Sequence, residues 1–153
     1  MIPDSRRDGR TMDKLILLSL FIVCHAAPVS ERSTTTAPYA ENVSARPGEN
    51  VTLPCQVPAN NTLLGAKWTR TDLGEEYVVL FLHGHMETEN QHSSFKNRTE
   101  MQSSQFNRGN LSVVLNNVRT TDSGTYTAYQ MQNIEGETKD ISVCIVHLMT
   151  TPG

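Results

Sequence analysis

The stretch LSVVLNNVRTTDSGTY, residues 111–126, decides how this sequence is read. Leu111, Val113 and Leu115 recur at every second position, the period of a strand with one face buried. The tight sequence Asp122-Ser-Gly-Thr-Tyr126 follows a few residues later. Upstream, Val51, Leu53 and Cys55 repeat the same alternation with Thr52 and Pro54 between them. Trp68 comes thirteen residues after Cys55, in Ala-Lys-Trp.

Between these marks the chain reads as short strands punctuated by turn residues. Pro47-Gly-Glu-Asn and Pro58-Ala-Asn-Asn are turns. Residues 66–71 read as a strand with Trp68 pointing inward. Residues 77–83 form an apolar run ended by Gly84, and 94–101 a polar edge strand. Residues 126–132 are a strand, 133–136 a turn and 139–148 the last strand. No helical period of useful length occurs. Regularly spaced short strands predict an all-β sandwich. The domain is expected over residues 42–148. Residues 27–41, rich in Ser, Thr, Ala and Pro, read as a flexible N-terminal extension, and 149–153 as a linker or truncated tail.

The order and spacing of Cys55, Trp68, Asp122, Gly124 and Tyr126 resemble the immunoglobulin V-set family across nearly all of residues 42–148. The resemblance implies an immunoglobulin-like β-sandwich of the variable type, two antiparallel sheets with Greek-key connections. Trp68 is then expected to pack mid-sandwich against the strand bearing Cys55, and Tyr126 to cap the E–F corner through its hydroxyl. Arg98 matches the arginine at the start of strand D and is expected to pair with Asp122, a fork of donors meeting a carboxylate. The competing reading is two unrelated surface charges, worth roughly 0–1 kcal/mol. Within the V-set, residues 66–73, 76–80, His83-Gly-His85 and 91–98 are similar to butyrophilin-like and co-signalling ligand domains.

One position departs from the family. The second bridging cysteine belongs two residues after the corner tyrosine, where this chain has Ala128. Cys24 leaves with the targeting segment, so Cys55 and Cys144 remain. Loss of a disulfide from a small secreted domain costs about 2–5 kcal/mol, against about 5–15 kcal/mol of total stability. Three arrangements stay open. Cys55 is a small buried hydrophobe against Ala128 and Trp68; or Cys55 bridges Cys144; or Cys144 is exposed and links two chains. Cys144 is expected one strand sideways of the usual partner, which argues against the second.

The front of the chain reads as a signal peptide, residues 1–26. Arg6, Arg7, Arg10 and Lys14 precede an apolar run from Leu15 to Val23, with small residues at Cys24 and Ala26. That run is shorter than the roughly 20 residues a spanning helix needs, as are 78–82 and 141–148. Sequons at Asn42, Asn50, Asn60, Asn97 and Asn110 agree with a secretory route. A longer parent with an anchor stays open.

A formal charge of −3 leaves no basic footprint for nucleic acid. His83, Gly84 and His85, with His92 nearby, read as a polar loop and not a metal site, since no cysteine or carboxylate completes a zinc ligand set. No catalytic carboxylate pair, G-x-S-x-G or G-x-G-x-x-G is present, and Cys55 is expected to be buried. No enzyme activity, cofactor or metal is expected.

The resemblance implies an extracellular binding module engaging a protein partner at the cell surface, in immune co-signalling or adhesion. The face carrying strands C, C′, F and G is the expected contact surface. Lys67 and Thr69 should look outward around Trp68, and Thr127 and Tyr129 around Ala128. Tyr77, Val79 and Phe81 are candidates for added apolar area. Tyr129, Met131 and Ile134, near the F–G turn, are the leading contact candidates, because aromatics and Met are enriched in interface cores. A secreted decoy or modulator and a self-associating structural domain, a homodimer, are the alternatives.

Overall fold

The computed structural model describes residues 37–59 and 62–153. Nine strands and one short helix follow in chain order: β1 (Tyr39–Ala45), β2 (Val51–Leu53), β3 (Leu63–Arg70), β4 (Val79–Leu82), β5 (His85–Glu87), β6 (Thr99–Met101), α1 (Ser103–Phe106), β7 (Val113–Leu115), β8 (Gly124–Ile134) and β9 (Glu137–Thr150). They form a six-stranded sheet in the order β1-β9-β8-β3-β4-β5 and a three-stranded sheet in the order β2-β7-β6. All pairs are antiparallel except β1 with β9.

Sequence alternation builds the core. Leu53, Leu111, Val113 and Leu115 reach in from the small sheet, and Ala66, Trp68, Val79, Phe81, Tyr126, Ala128 and Val146 from the large one. Trp68 is fully buried and its indole N–H donates to the Leu111 carbonyl at 2.9 Å. A side chain of that size removes about 150–250 Å² from water, worth about 4–6 kcal/mol before ordering costs.

The corner at the base follows from the Asp122-Ser-Gly-Thr-Tyr126 motif. The Tyr126 hydroxyl donates to the Asp122 carbonyl at 2.5 Å. Burial pushes the Tyr126 phenol up to about 12, partly countered by the Arg70 guanidinium. Gly124 lies under Arg70, where a Cβ would stand 2.9 Å from that side chain's Cδ. Arg98 and Asp122 form a buried two-pronged ion pair, and Arg98 also donates to the carbonyls of Ser94, Asn116 and Asn117. The surface-charge reading of Arg98 is thereby excluded. Arg70 and Arg98 both lie over the Phe95 ring, 5.3 and 5.9 Å from its centroid.

Cys55 and Cys144 form a disulfide with Cα atoms 5.8 Å apart. Cys55 is therefore not a free buried thiol, and Cys144, 2% exposed, is not available to link two chains. The sideways displacement that counted against this bridge is real, because Cys144 sits directly opposite Ala128 in the β8–β9 ladder. The bridge still closes because Ala128 is small and Cys55 lies beyond the end of β2. There it is held by a hydrogen bond from its own N–H to Ser112 Oγ and by accepting the Leu111 N–H.

Several expectations are corrected. β1 starts at Tyr39, so residues 39–41 belong to the sandwich and not to the N-terminal extension. The polar edge strand shrinks to β6: residues 93–95 form one 3-10 turn and Asn97 takes a φ of 60°, which plants Phe95 in the core. The short helix α1, which no period announced, seats Phe106 against Phe81 at 4.8 Å between ring centroids. Residues 1–26 and Asn60 lie outside the described residues.

Candidate functional site

Strand geometry sorts side chains on the large sheet. Pairing of Trp68 with Ala128 and of Trp68 with Val79 turns all three inward, so their neighbours look out. Lys67 stands opposite Tyr129 on β8 and Leu80 on β4; Gly65 stands opposite Met131 and Leu82. On β9, Ser142 faces Tyr129, Asp140 faces Met131 and Ile145 faces Thr127. One continuous outward face thus gathers Lys67, Leu80, Leu82, Tyr129, Met131 and Asp140.

Its centre is polar and ordered. Lys67 Nζ pairs with Asp140 Oδ2 at 2.6 Å and sits 5.7 Å from the centre of the Tyr129 ring. This pair is about one-third exposed on both sides. Exposed ion pairs add only about 0–1 kcal/mol to stability, so the pair contributes chiefly orientation, holding the ammonium over one face of Tyr129. Around it Leu80, Leu82 and Met131 are half-buried. Gly65 matters to the shape: a Cβ there would stand 2.4 Å from the Phe81 carbonyl oxygen, so β3 and β4 close up only because position 65 carries no side chain.

The sequence-derived contact candidates divide. Tyr129 and Met131 share the outward face. Ile134 has the opposite parity on the same strand and lies on the other side of the β8–β9 hairpin, half-buried. Tyr77, Val79 and Phe81 do not belong to the surface: all three are buried, and the apolar area outward on β4 comes from Leu80 and Leu82. The parity of β4 could not be read from an unbroken apolar run, since every register buries some of it. The Lys67–Asp140 contact was also missed, because nothing local in the sequence links positions 73 residues apart.

Among the described residues the histidines do not gather in one site. His83 and His85 flank Gly84 in an exposed turn, and His92 Nδ1 accepts the Ser94 N–H. Among the described residues no three His, Cys, Asp or Glu side chains converge as a metal site. A cleft of about 260 Å³ lies among Leu63, Leu64, Phe81, His83 and Phe106, below the roughly 300–1,000 Å³ usual for small-molecule sites. No helix among the described residues is long and apolar enough to cross a membrane.

The two-sheet sandwich, the buried Trp68 and the Tyr126 corner define a variable-type immunoglobulin domain. Residues 39–145 match the immunoglobulin V-set domain family model, and the chain belongs to that family. Among curated relatives, it is 34% identical over 99 residues to V-set domain-containing T-cell activation inhibitor 1 of Rattus norvegicus, covering 63% of this chain and 33% of that protein. It is 32% identical over 105 residues to butyrophilin subfamily 2 member A2 of Homo sapiens, covering 67% and 20%. With programmed cell death 1 ligand 1 of Mus musculus it shares 31% over 83 residues, covering 52% and 28%. The chain thus spans a third or less of these relatives. The human B7-H4 IgV-like domain superposes with a TM-score of 0.60 at 25% identity, covering 72% of this chain and 91% of that one. A chain from the crystal structure of ICOS in complex with ICOS-L and an anti-ICOS-L VNAR domain shares the fold, with a TM-score of 0.65 at 20% identity, covering 74% and 55%. The domain is therefore a V-type relative of co-signalling ligands and butyrophilins.

Proposed function

We propose that this chain is an extracellular recognition module whose outward β3–β4–β8–β9 face docks a cell-surface protein in immune co-signalling. The observation that carries the reading is the Tyr129 ring, half-buried at the centre of that face, with Lys67 held beside it by Asp140. An amphipathic aromatic flanked by apolar Leu80, Leu82 and Met131 and rimmed by charge has the composition of an interface core with a polar rim. The relatives' names, T-cell activation inhibitor and cell death 1 ligand, point to the immune setting. The internal disulfide supports an oxidising compartment.

A panel of cells each displaying one surface receptor, stained with the secreted domain fused to an antibody constant region, tests this. The reading expects staining of a discrete receptor set, lost with Tyr129→Ser and kept with Val114→Thr on the opposite sheet. Equal loss with both variants, or staining indifferent to Tyr129→Ser, contradicts it. A soluble decoy role uses the same face and differs only in whether the chain is tethered where it acts.

A further inference from the structure

We propose that Asn42 carries an N-linked glycan that covers the open β1 edge of the large sheet and prevents strand-to-strand association of two copies. This rests on the extracellular reading above, since the modification belongs to the secretory route. Among the described sequons the fold treats each asparagine differently. Asn110 is built into the structure: its Oδ1 accepts the Ser112 N–H, and the Ser112 hydroxyl is itself engaged by Cys55. Asn97 is exposed, yet its φ of 60° gives it a backbone reason to be asparagine. Asn50 Oδ1 accepts the Asn117 N–H. Asn42 is exposed, lies in mid-strand and makes no side-chain hydrogen bond among the described residues, so the described fold gives no reason for an asparagine there.

Its position supplies the reason. β1 has seven residues and pairs on one side only, with β9, among the described residues. The other edge strands, β2, β5 and β6, have three residues each. A long unpaired edge is a template for another strand, and proteins blunt such edges with charge, proline, bulges or a cover. The sequence YAENVSA offers one acid, no lysine and no proline. Asn42 stands at its centre, and Ser44, which completes the sequon, is exposed beside it. A bulky, hydrated glycan there supplies the missing cover. Asn42 pairs with His147, which pairs with Thr125. At about 4.8 Å per strand and about 3.4 Å per residue, this places Asn42 about 17 Å from Tyr129, at the edge of the same outward face.

The secreted chain, treated with a peptide N-glycosidase in heavy-oxygen water and mapped by mass spectrometry, should show Asn42 converted to labelled aspartate. An unlabelled Asn42 peptide overturns the site. Light scattering then reads its role. Asn42→Gln and Ser44→Ala, two ways of removing one sequon, should both raise the weight-average mass with concentration, while wild type and Asn50→Gln stay monomeric. Monomeric behaviour of both β1 variants overturns the edge-cover role. Neither readout involves a partner, so a glycosylated, monomeric chain that ignores Tyr129→Ser in cell staining would refute the docking face and leave this inference standing.

Discussion

Cys144 lies on β9 directly opposite Ala128 on β8, and it is Cys144, not the residue at 128, that bridges Cys55. The covalent tie between the sheets has moved one strand toward the edge. β9 is thereby anchored at mid-length, and it carries Asp140 and Ser142 of the proposed docking face. Closing a loop with a sequence separation of 89 contributes about 4–5 kcal/mol in the chain-entropy account.

The bridge should therefore be both costly to lose and movable. Cys144→Val is expected to lower stability by about 2–5 kcal/mol. Combining it with Ala128→Cys should return most of that loss by joining positions 55 and 128. Urea denaturation with peptide mapping of the disulfide checks both. A double variant with two free thiols would contradict the placement of Ala128 beside Cys144.

Arg98→Met removes one partner of a pair buried at 7% and 1% exposure and strands the Asp122 carboxylate. The expected destabilisation is about 3–5 kcal/mol, the range for an uncompensated buried charge. A loss below about 1 kcal/mol in chemical denaturation would place the pair with ordinary surface bridges.

Alkali should destabilise the domain through Tyr126. Its phenol titrates near 12 in the folded state against an ordinary value of 10.0. Between those values the unfolded chain has lost a proton that the folded chain keeps, so stability is full below pH 10 and falls as pH rises towards 12. Tyr126→Phe should flatten that fall while costing about 1 kcal/mol at neutral pH through the lost hydrogen bond to Asp122. Denaturation midpoints across pH 9–12 decide it.

Gly65→Ala should disturb the docking face through the β4 backbone and the neighbouring Leu82 side chain, whose Cδ1 would stand 3.1 Å from the added methyl. The added methyl meets the Phe81 carbonyl and must push β3 from β4. A melting point lowered by several degrees, about 1–3 kcal/mol, is expected; an unchanged one would show that the strands are less closely set.

Much of this was legible because the relevant signals are local. Alternation at Leu111, Val113 and Leu115, the Asp122-Ser-Gly-Thr-Tyr126 corner and Trp68 defined the sandwich, and the parity around Trp68 and Ala128 put Lys67 and Tyr129 outward. Non-local or degenerate features were not legible. The apolar run 77–83 hides its parity: by sequence Tyr77, Val79 and Phe81 are candidates for added apolar area, whereas Leu80 and Leu82 hold the outward positions. Ile134 was grouped with Tyr129 by proximity, although an odd separation puts them on opposite faces. The Cys55–Cys144 bridge depends on where β2 ends relative to β9, which no spacing rule encodes.

The most direct test of the central claim is the affinity of wild type and Tyr129→Ser for the receptor recovered by cell staining, measured by surface plasmon resonance with both proteins matched in melting point. A central aromatic contact predicts a loss of about 30-fold or more, the 2 kcal/mol mark of a binding hot spot. Affinity within about twofold of wild type would show that the partner is met elsewhere on the domain.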